Sequence, residues 1–137
     1  MQRPIDQHTA LIFTMVLVSA AEGEMTDAEL DAISRQVRYL PVFQTFRHDR
    51  LTEVGRQCAE LLRQDEGLDI AFDMIAEVLP KPLCETAYAL ACEVAAADGA
   101  LAPEELNLLR MLRQRLNLDR LVAAAIERTT YARHAVV

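Results

Sequence analysis

Two stretches of the chain, Thr9 to Ala21 and Leu83 to Ala97, are apolar nearly all the way round a helix. A helix of that kind has no face to give to water, so other elements must surround it on several sides. Two of them in 137 residues predict one core with both at its centre, and hence a single domain over residues 1–137. Composition decides what surrounds them. Aromatic residues are 5% of the chain, Trp is absent, and there are only four Gly and five Pro. That starves strands and frequent tight turns, whereas Ala, Leu and Glu favour helix. The expected fold is all-α, a compact bundle of about seven helices.

The two apolar stretches lead into similar sequences. Ala20 to Leu30 (AAEGEMTDAEL) laid on Ala96 to Leu106 (AADGALAPEEL), at an offset of 76, gives five identities in eleven. The offset is too long for a solenoid unit and occurs once, so the reading is an internal duplication giving two pseudo-symmetric halves. Repeat one spans about 5–43, connecting helices about 49–79, and repeat two about 83–131. In each repeat an apolar helix breaks at acid-Gly and an amphipathic helix follows. Leu30, Ile33, Val37 and Leu40 mark the inward stripe of the first, and Leu106, Leu109, Leu112 and Leu116 that of the second. Gly23 and Gly99 fall where a helix ends in a positive-φ residue. The restarts are a capping box, Thr26-Asp27-Ala28-Glu29, and a first-turn proline, Pro103.

Between the repeats, Leu51, Val54, Cys58, Leu61 and Leu62 predict a helix ending near Asp65-Glu66-Gly67, and Ile70 to Leu79 predicts another that Pro80 and Pro82 break. Val42, Phe43 and Phe46 are expected in a short helix over the core. Asp49 is expected near the cap of the helix that follows, and a last helix is expected to start near Asp119.

A net charge of −7 repels phosphate backbones, so nucleic acid is not an expected partner. The C-terminal part, Arg110 to Val137, is locally basic and is expected to be a solvated helix face. Cys58, Cys84 and Cys92 form no CxxC pair and are expected as buried thiols in a reducing cytoplasm. The longest apolar run, Ala10 to Ala21, is too short to span a bilayer, and no transmembrane segment is expected. His8, His48 and His134 are expected at the surface, and Tyr39, Tyr88 and Tyr131 with their rings in the core. Ser19, Thr86, Thr129 and Thr130 have no companion base, and no phosphate loop or cofactor fingerprint occurs, so neither an enzyme nor an organic cofactor is expected.

The residues with chemistry are two pairs of carboxylates, Glu22 with Glu29 and Asp98 with Glu105, each seven positions apart across a glycine. The acid before Gly sits at a helix C-terminus, where the macrodipole disfavours an anion, and the second sits in the next first turn, where an anion is favoured. A divalent cation of the Ca²⁺ or Mg²⁺ class would relieve the first placement, drawing on carboxylates and terminal carbonyls. The spacing reproduces the second half of the twelve-residue calcium loop only. The first-half ligand positions fall on Val94 and Ala96, or on Val18 and Ala20, so this is not an EF-hand. Capping alone accounts for Glu29 and Glu105 taken singly. The pattern occurs twice, however, in segments rich in acids: Glu22 to Asp31 holds five acids and no base.

An Ala-rich apolar helix leading into acid-Gly-x5-Glu-Leu, present twice in a helical domain of this size, resembles the tellurite-resistance TerB family, whose domain type also occurs in membrane-anchored DnaJ-like co-chaperones. The resemblance covers about Ile5 to Tyr131 and is most specific at Ala95-Ala96-Ala97-Asp98-Gly99 with Glu105-Leu106. It implies a non-enzymatic helical domain with acidic metal-binding positions, a role in tellurite and other chemical stress, and membrane-linked protein partners. Asp98 and Glu105 match the family motif directly, while Glu22 stands where the family usually has Asp. The expected function is a cytoplasmic, divalent-cation-binding sensor or scaffold. The alternative is a metal-independent protein-interaction module with an acidic docking face. The high apolar fraction of 52% leaves room for a homodimer.

Overall fold

The computed structural model describes residues 4–21, 23, 25–97, 99 and 103–137. Seven α-helices are present among them: α1 (Gln7–Ser19), α2 (Asp27–Tyr39), α3 (Leu51–Leu62), α4 (Gly67–Val78), α5 (Lys81–Ala95), α6 (Pro103–Arg115) and α7 (Arg120–Arg133). Two 3-10 turns, Pro41–Phe43 and His48–Arg50, lie between α2 and α3. No strand occurs among the described residues. The fold is an all-α bundle.

α1 and α5 form the centre, as their all-round apolarity requires. Every residue of α1 from Thr9 to Ser19 is buried, and α1 packs most extensively on α5, then on α3 and α4. α5 is in turn covered by α2, α6 and α7. Thr14 and Ser19 remain compatible with this dry surrounding because their hydroxyls donate back to carbonyls of α1, Thr14 to Ala10 at 2.8 Å and Ser19 to Val16 at 3.0 Å. Asp6 caps α1 by accepting the Thr9 N–H at 2.8 Å, and Asp119 caps α7 through the N–H groups of Leu121 and Val122. The capping box expected for α2 is formed in both directions.

The expected stripes hold at Ile33 and Val37 of α2 and at Leu109 and Leu112 of α6, with Leu116 buried just beyond, but not at the first leucine of each. Leu30 and Leu106 are about half exposed (52% and 51%), while the residue before each, Glu29 and Glu105, is buried. The inward face of α2 is Glu29, Ala32, Ile33 and Val37, and that of α6 is Glu105, Leu108, Leu109 and Leu112. One residue is 100° of helix rotation, so turning the acid inward carries the following leucine out. Tyr88 is buried as expected, but Tyr39 and Tyr131 are exposed, the latter with Arg128 over its ring. Val42, Phe43 and Phe46 form a 3-10 turn and bend, with Phe43 and Phe46 buried edge-on to each other. Asp49 does not cap α3. It pairs at 2.8 Å with Arg47, the residue before the second 3-10 turn, and α3 starts with no side-chain cap.

The connections use backbone conformations that restrict their residues. Glu66 has φ 60°, which bends the chain sharply between α3 and α4. Gly67 follows it against α3: a Cβ there would stand 2.0 Å from the Leu61 carbonyl oxygen. His8 is half-buried, its Nε2 2.8 Å from the Val42 carbonyl oxygen, which ties α1 to the segment after α2. No helix among the described residues is long and apolar enough to cross a membrane.

Candidate functional site

The α1–α2 and α5–α6 corners share one local design. At the end of α1, Ala20 N–H donates to Val16 O at 2.9 Å, Ala21 to Val18 O at 3.2 Å, and Gly23 to Ala20 O at 3.0 Å. At the end of α5, 76 residues on, Ala96 donates to Cys92 O at 3.0 Å, Ala97 to Val94 O at 3.1 Å, and Gly99 to Ala96 O at 3.1 Å. Each corner then turns at a glycine with positive φ, 113° at Gly23 and 83° at Gly99. An L side chain would strain this conformation even though open space surrounds both positions. Both corners follow a central helix, α1 or α5.

In both corners the second acid is the third residue of the next helix. Glu29 is 3% exposed and accepts the Thr26 backbone N–H through Oε1 at 2.9 Å, while Glu29 N–H donates to Thr26 Oγ1 at 3.1 Å. Glu105 is fully enclosed in the first turn of α6. The positive end of the helix dipole favours a carboxylate at both places. The first acid of each pair, Glu22 and Asp98, lies outside the described residues, as do Glu24 and residues 100–102. The structure therefore places Glu29 and Glu105 and leaves their partners to the sequence. Among the described residues no group of three His, Cys, Asp or Glu side chains gathers as a metal centre.

A second charged cluster lies where α6 and α7 meet α5. The Tyr88 hydroxyl donates to Glu127 Oε2, and Arg113 Nη1 donates to the same oxygen at 2.6 Å. Burial, reinforced by the Glu127 carboxylate, pushes the Tyr88 phenol well above its ordinary range. Burial alone pushes the Cys58 thiol up to about 12, and burial chiefly does the same to Cys92, so both are protonated at neutral pH. The basic tail is partly paired: Arg115 reaches Asp69 and Asp73 of α4, and Arg133 with His134 holds Glu93 of α5. None of these pairings was visible in the sequence, because each joins residues many positions apart with no fixed spacing.

An all-α bundle with a central apolar helix pair and two acid-bearing glycine corners is the class that fold and site define. A family model described as tellurite resistance protein TerB matches residues 8–128, and the chain belongs to the TerB family. No curated protein and no solved structure matches it.

Proposed function

We propose that this TerB-family domain holds a divalent cation of the Ca²⁺ or Mg²⁺ class at its glycine corners and acts, without catalysing a reaction, as a cytoplasmic sensor or scaffold in a chemical-stress response. Asp98 and Glu105 would hold the cation at the second corner, and Glu22 and Glu29 at the first. The observation that carries the reading is Glu105, enclosed at a helix position where its neighbour Leu106 lies outside. An anion is brought out of water only where positive charge or donors compensate it. Glu105 stands at a helix N-terminus, which favours a carboxylate, and carboxylates beside helix-end carbonyls make the oxygen donor set that hard cations prefer.

When bound, the cation supplies positive charge at the junction of two helices. The chain's own residues do the rest. Gly23 and Gly99 turn the chain sharply, the Thr26 box holds Glu29 in place, and α1 and α5 carry each corner into the core. Occupancy would thereby bias how the amphipathic helices sit on the central pair, and a membrane-associated protein partner could read that packing.

A second reading is favoured by Leu30 and Leu106, exposed apolar side chains set among acids at equivalent places. It is a metal-independent module whose acidic, leucine-tipped corners dock a basic partner. Thermal unfolding in calcium, magnesium or EDTA separates the two. A cation at 100 times its Kd adds about 2.7 kcal/mol, worth roughly 10 °C in a domain of this size. The cation reading expects such a rise for the wild type, reduced in the Asp98→Asn, Glu105→Gln double variant, which keeps only the Glu22 and Glu29 corner. Identical melting in EDTA and both salts leaves the second reading.

A further inference from the structure

α6 and α7 both pack on α5 but make little contact with each other, and a cleft runs between them. α7 lines it with the short side chains Ala123, Ala124 and Thr130. The inner end has a volume of about 440 Å³, floored by Tyr88 and Cys92 of α5 with Ala96 just beyond it, and walled by Leu106 and Leu109. The outer end, about 670 Å³, is polar and lined by Arg110, Arg113, Gln114, Asn117 and Arg120. Arg110, Arg113 and Glu127 border both ends, so the two hollows adjoin, with the Arg113–Glu127 pair between them and Arg110 beside each. Each volume lies in the range of small-molecule sites.

The charge of the cleft opposes that of the molecule. Three Arg face it against the single carboxylate of Glu127, in a chain of net charge −7. Glu127 is already matched by Arg113 and the Tyr88 hydroxyl. Arg110 donates to the neutral Asn107 side chain, and neither it nor Arg120 pairs with a carboxylate among the described residues. Two guanidinium groups therefore stand uncompensated at the outer end, with the fork geometry that suits carboxylate or phosphate. The inner end is the reverse. Its floor is apolar, and its Tyr88, Asn107 and Thr130 side chains are already bonded to Glu127, Arg110 and the Ile126 carbonyl, so it has little to offer a peptide backbone, whose N–H and C=O groups need partners. A methylene chain needs none, and it would take the exposed Leu106 out of water.

We propose that the α6–α7 cleft binds a single-chain anionic amphiphile, with its carboxylate or phosphate head on Arg110 and Arg120 and its alkyl tail along Tyr88, Leu106 and Leu109. The site is distinct from the glycine corners and does not depend on them for its charge. The test uses the whole protein in EDTA, so that it stands apart from any cation effect. Sodium decanoate, decyl phosphate, decanol and inorganic phosphate are titrated below their aggregation concentrations, by calorimetry and by backbone amide NMR.

Saturable 1:1 binding of decanoate or decyl phosphate is expected, with shifts confined to α6, α7 and the Tyr88 region of α5. Preference between the two tells a fatty-acid type of ligand from an alkyl-phosphate type. Decanol and inorganic phosphate should bind at least tenfold more weakly, since each supplies half of the recognition. The Arg110→Ala, Arg120→Ala double variant should lose at least tenfold for both anions, whereas Arg63→Ala, exposed on another part of the surface, should lose nothing. No saturable binding, equal binding of decanol, shifts elsewhere, tighter binding of a poly-glutamate peptide, or an unchanged affinity in the double Arg variant would each overturn the proposal.

Discussion

Arg113 and Glu127 join α6 to α7 by a 2.6 Å ion pair, and the oxygen that Arg113 holds also accepts the Tyr88 hydroxyl from α5. Three helices meet at one carboxylate oxygen. The Arg113 and Glu127 side chains are 35% and 40% exposed, so solvent screens much of their attraction, whereas Tyr88 is 1% exposed and cannot turn to water. Glu127→Ala strands a buried hydroxyl and should destabilise by about 1–3 kcal/mol, and Tyr88→Phe by about 1 kcal/mol. Because the two share one bond, the double variant should fall short of the sum by at least about 0.5 kcal/mol in urea unfolding.

The burial of Glu29 and Glu105 rather than Leu30 and Leu106 makes an unusual demand on mutagenesis. Leu106→Ser and Leu30→Ser should each change stability by no more than about 0.5 kcal/mol, whereas Leu112→Ala, at a 1% exposed position, should lose about 2–5 kcal/mol. Urea midpoints of the three variants check this. A large loss at Leu106 would restore the leucine-inward register that spacing alone suggests.

The glycines should divide by cause. Gly23→Ala and Gly99→Ala meet no atom within 4 Å, so only the positive φ opposes them, at about 1–2 kcal/mol each. Gly67→Ala drives a methyl into the Leu61 carbonyl, 2.0 Å away, and a backbone shift is required. Its loss should exceed about 3 kcal/mol. Melting curves of the three single variants rank them.

How much of this was legible follows from which physical signal was in play. The centrality of α1 and α5 could be read directly, because all-round apolarity has one structural solution. The Gly23 and Gly99 turns, the Thr26 box and the Asp119 cap were also legible, since each is a local motif with its own donors and acceptors. The first inward position of α2 and of α6 was not. Periodicity ranks Leu30 above Glu29 for the core, and only the fold-back of a glutamate at the third helical position reverses that order. The α6–α7 cleft was legible only as a basic tail. That Arg115 and Arg133 are tied to α4 and α5 while Arg110 and Arg120 are not depends on three-dimensional neighbours. Tyr39 and Tyr131 lie outside because the faces they occupy meet no other element.

The thiols offer a test of core integrity. Cys58, Cys84 and Cys92 are all buried, and Cys58 Sγ lies 3.8 Å from the Phe13 carbonyl oxygen of α1. Burial disfavours the thiolate, and with Cys58 and Cys92 pushed up to about 12, both remain thiols at pH 8. The native protein should react with a thiol-specific disulfide reagent at least a hundredfold more slowly than the same chain in denaturant. The rate of the slow phase should track global unfolding as urea is added.

The central claim is that the two corners are cation sites, and counting the sites tests it most directly. Calcium or magnesium is titrated calorimetrically into metal-free protein, wild type and the Asp98→Asn, Glu105→Gln variant. Two saturable sites are predicted for the wild type and one, at the Glu22 and Glu29 corner, for the variant, with both proteins keeping the same helical circular dichroism. Failure of the wild type to bind either ion, or a variant with the wild-type number of sites, would contradict the account.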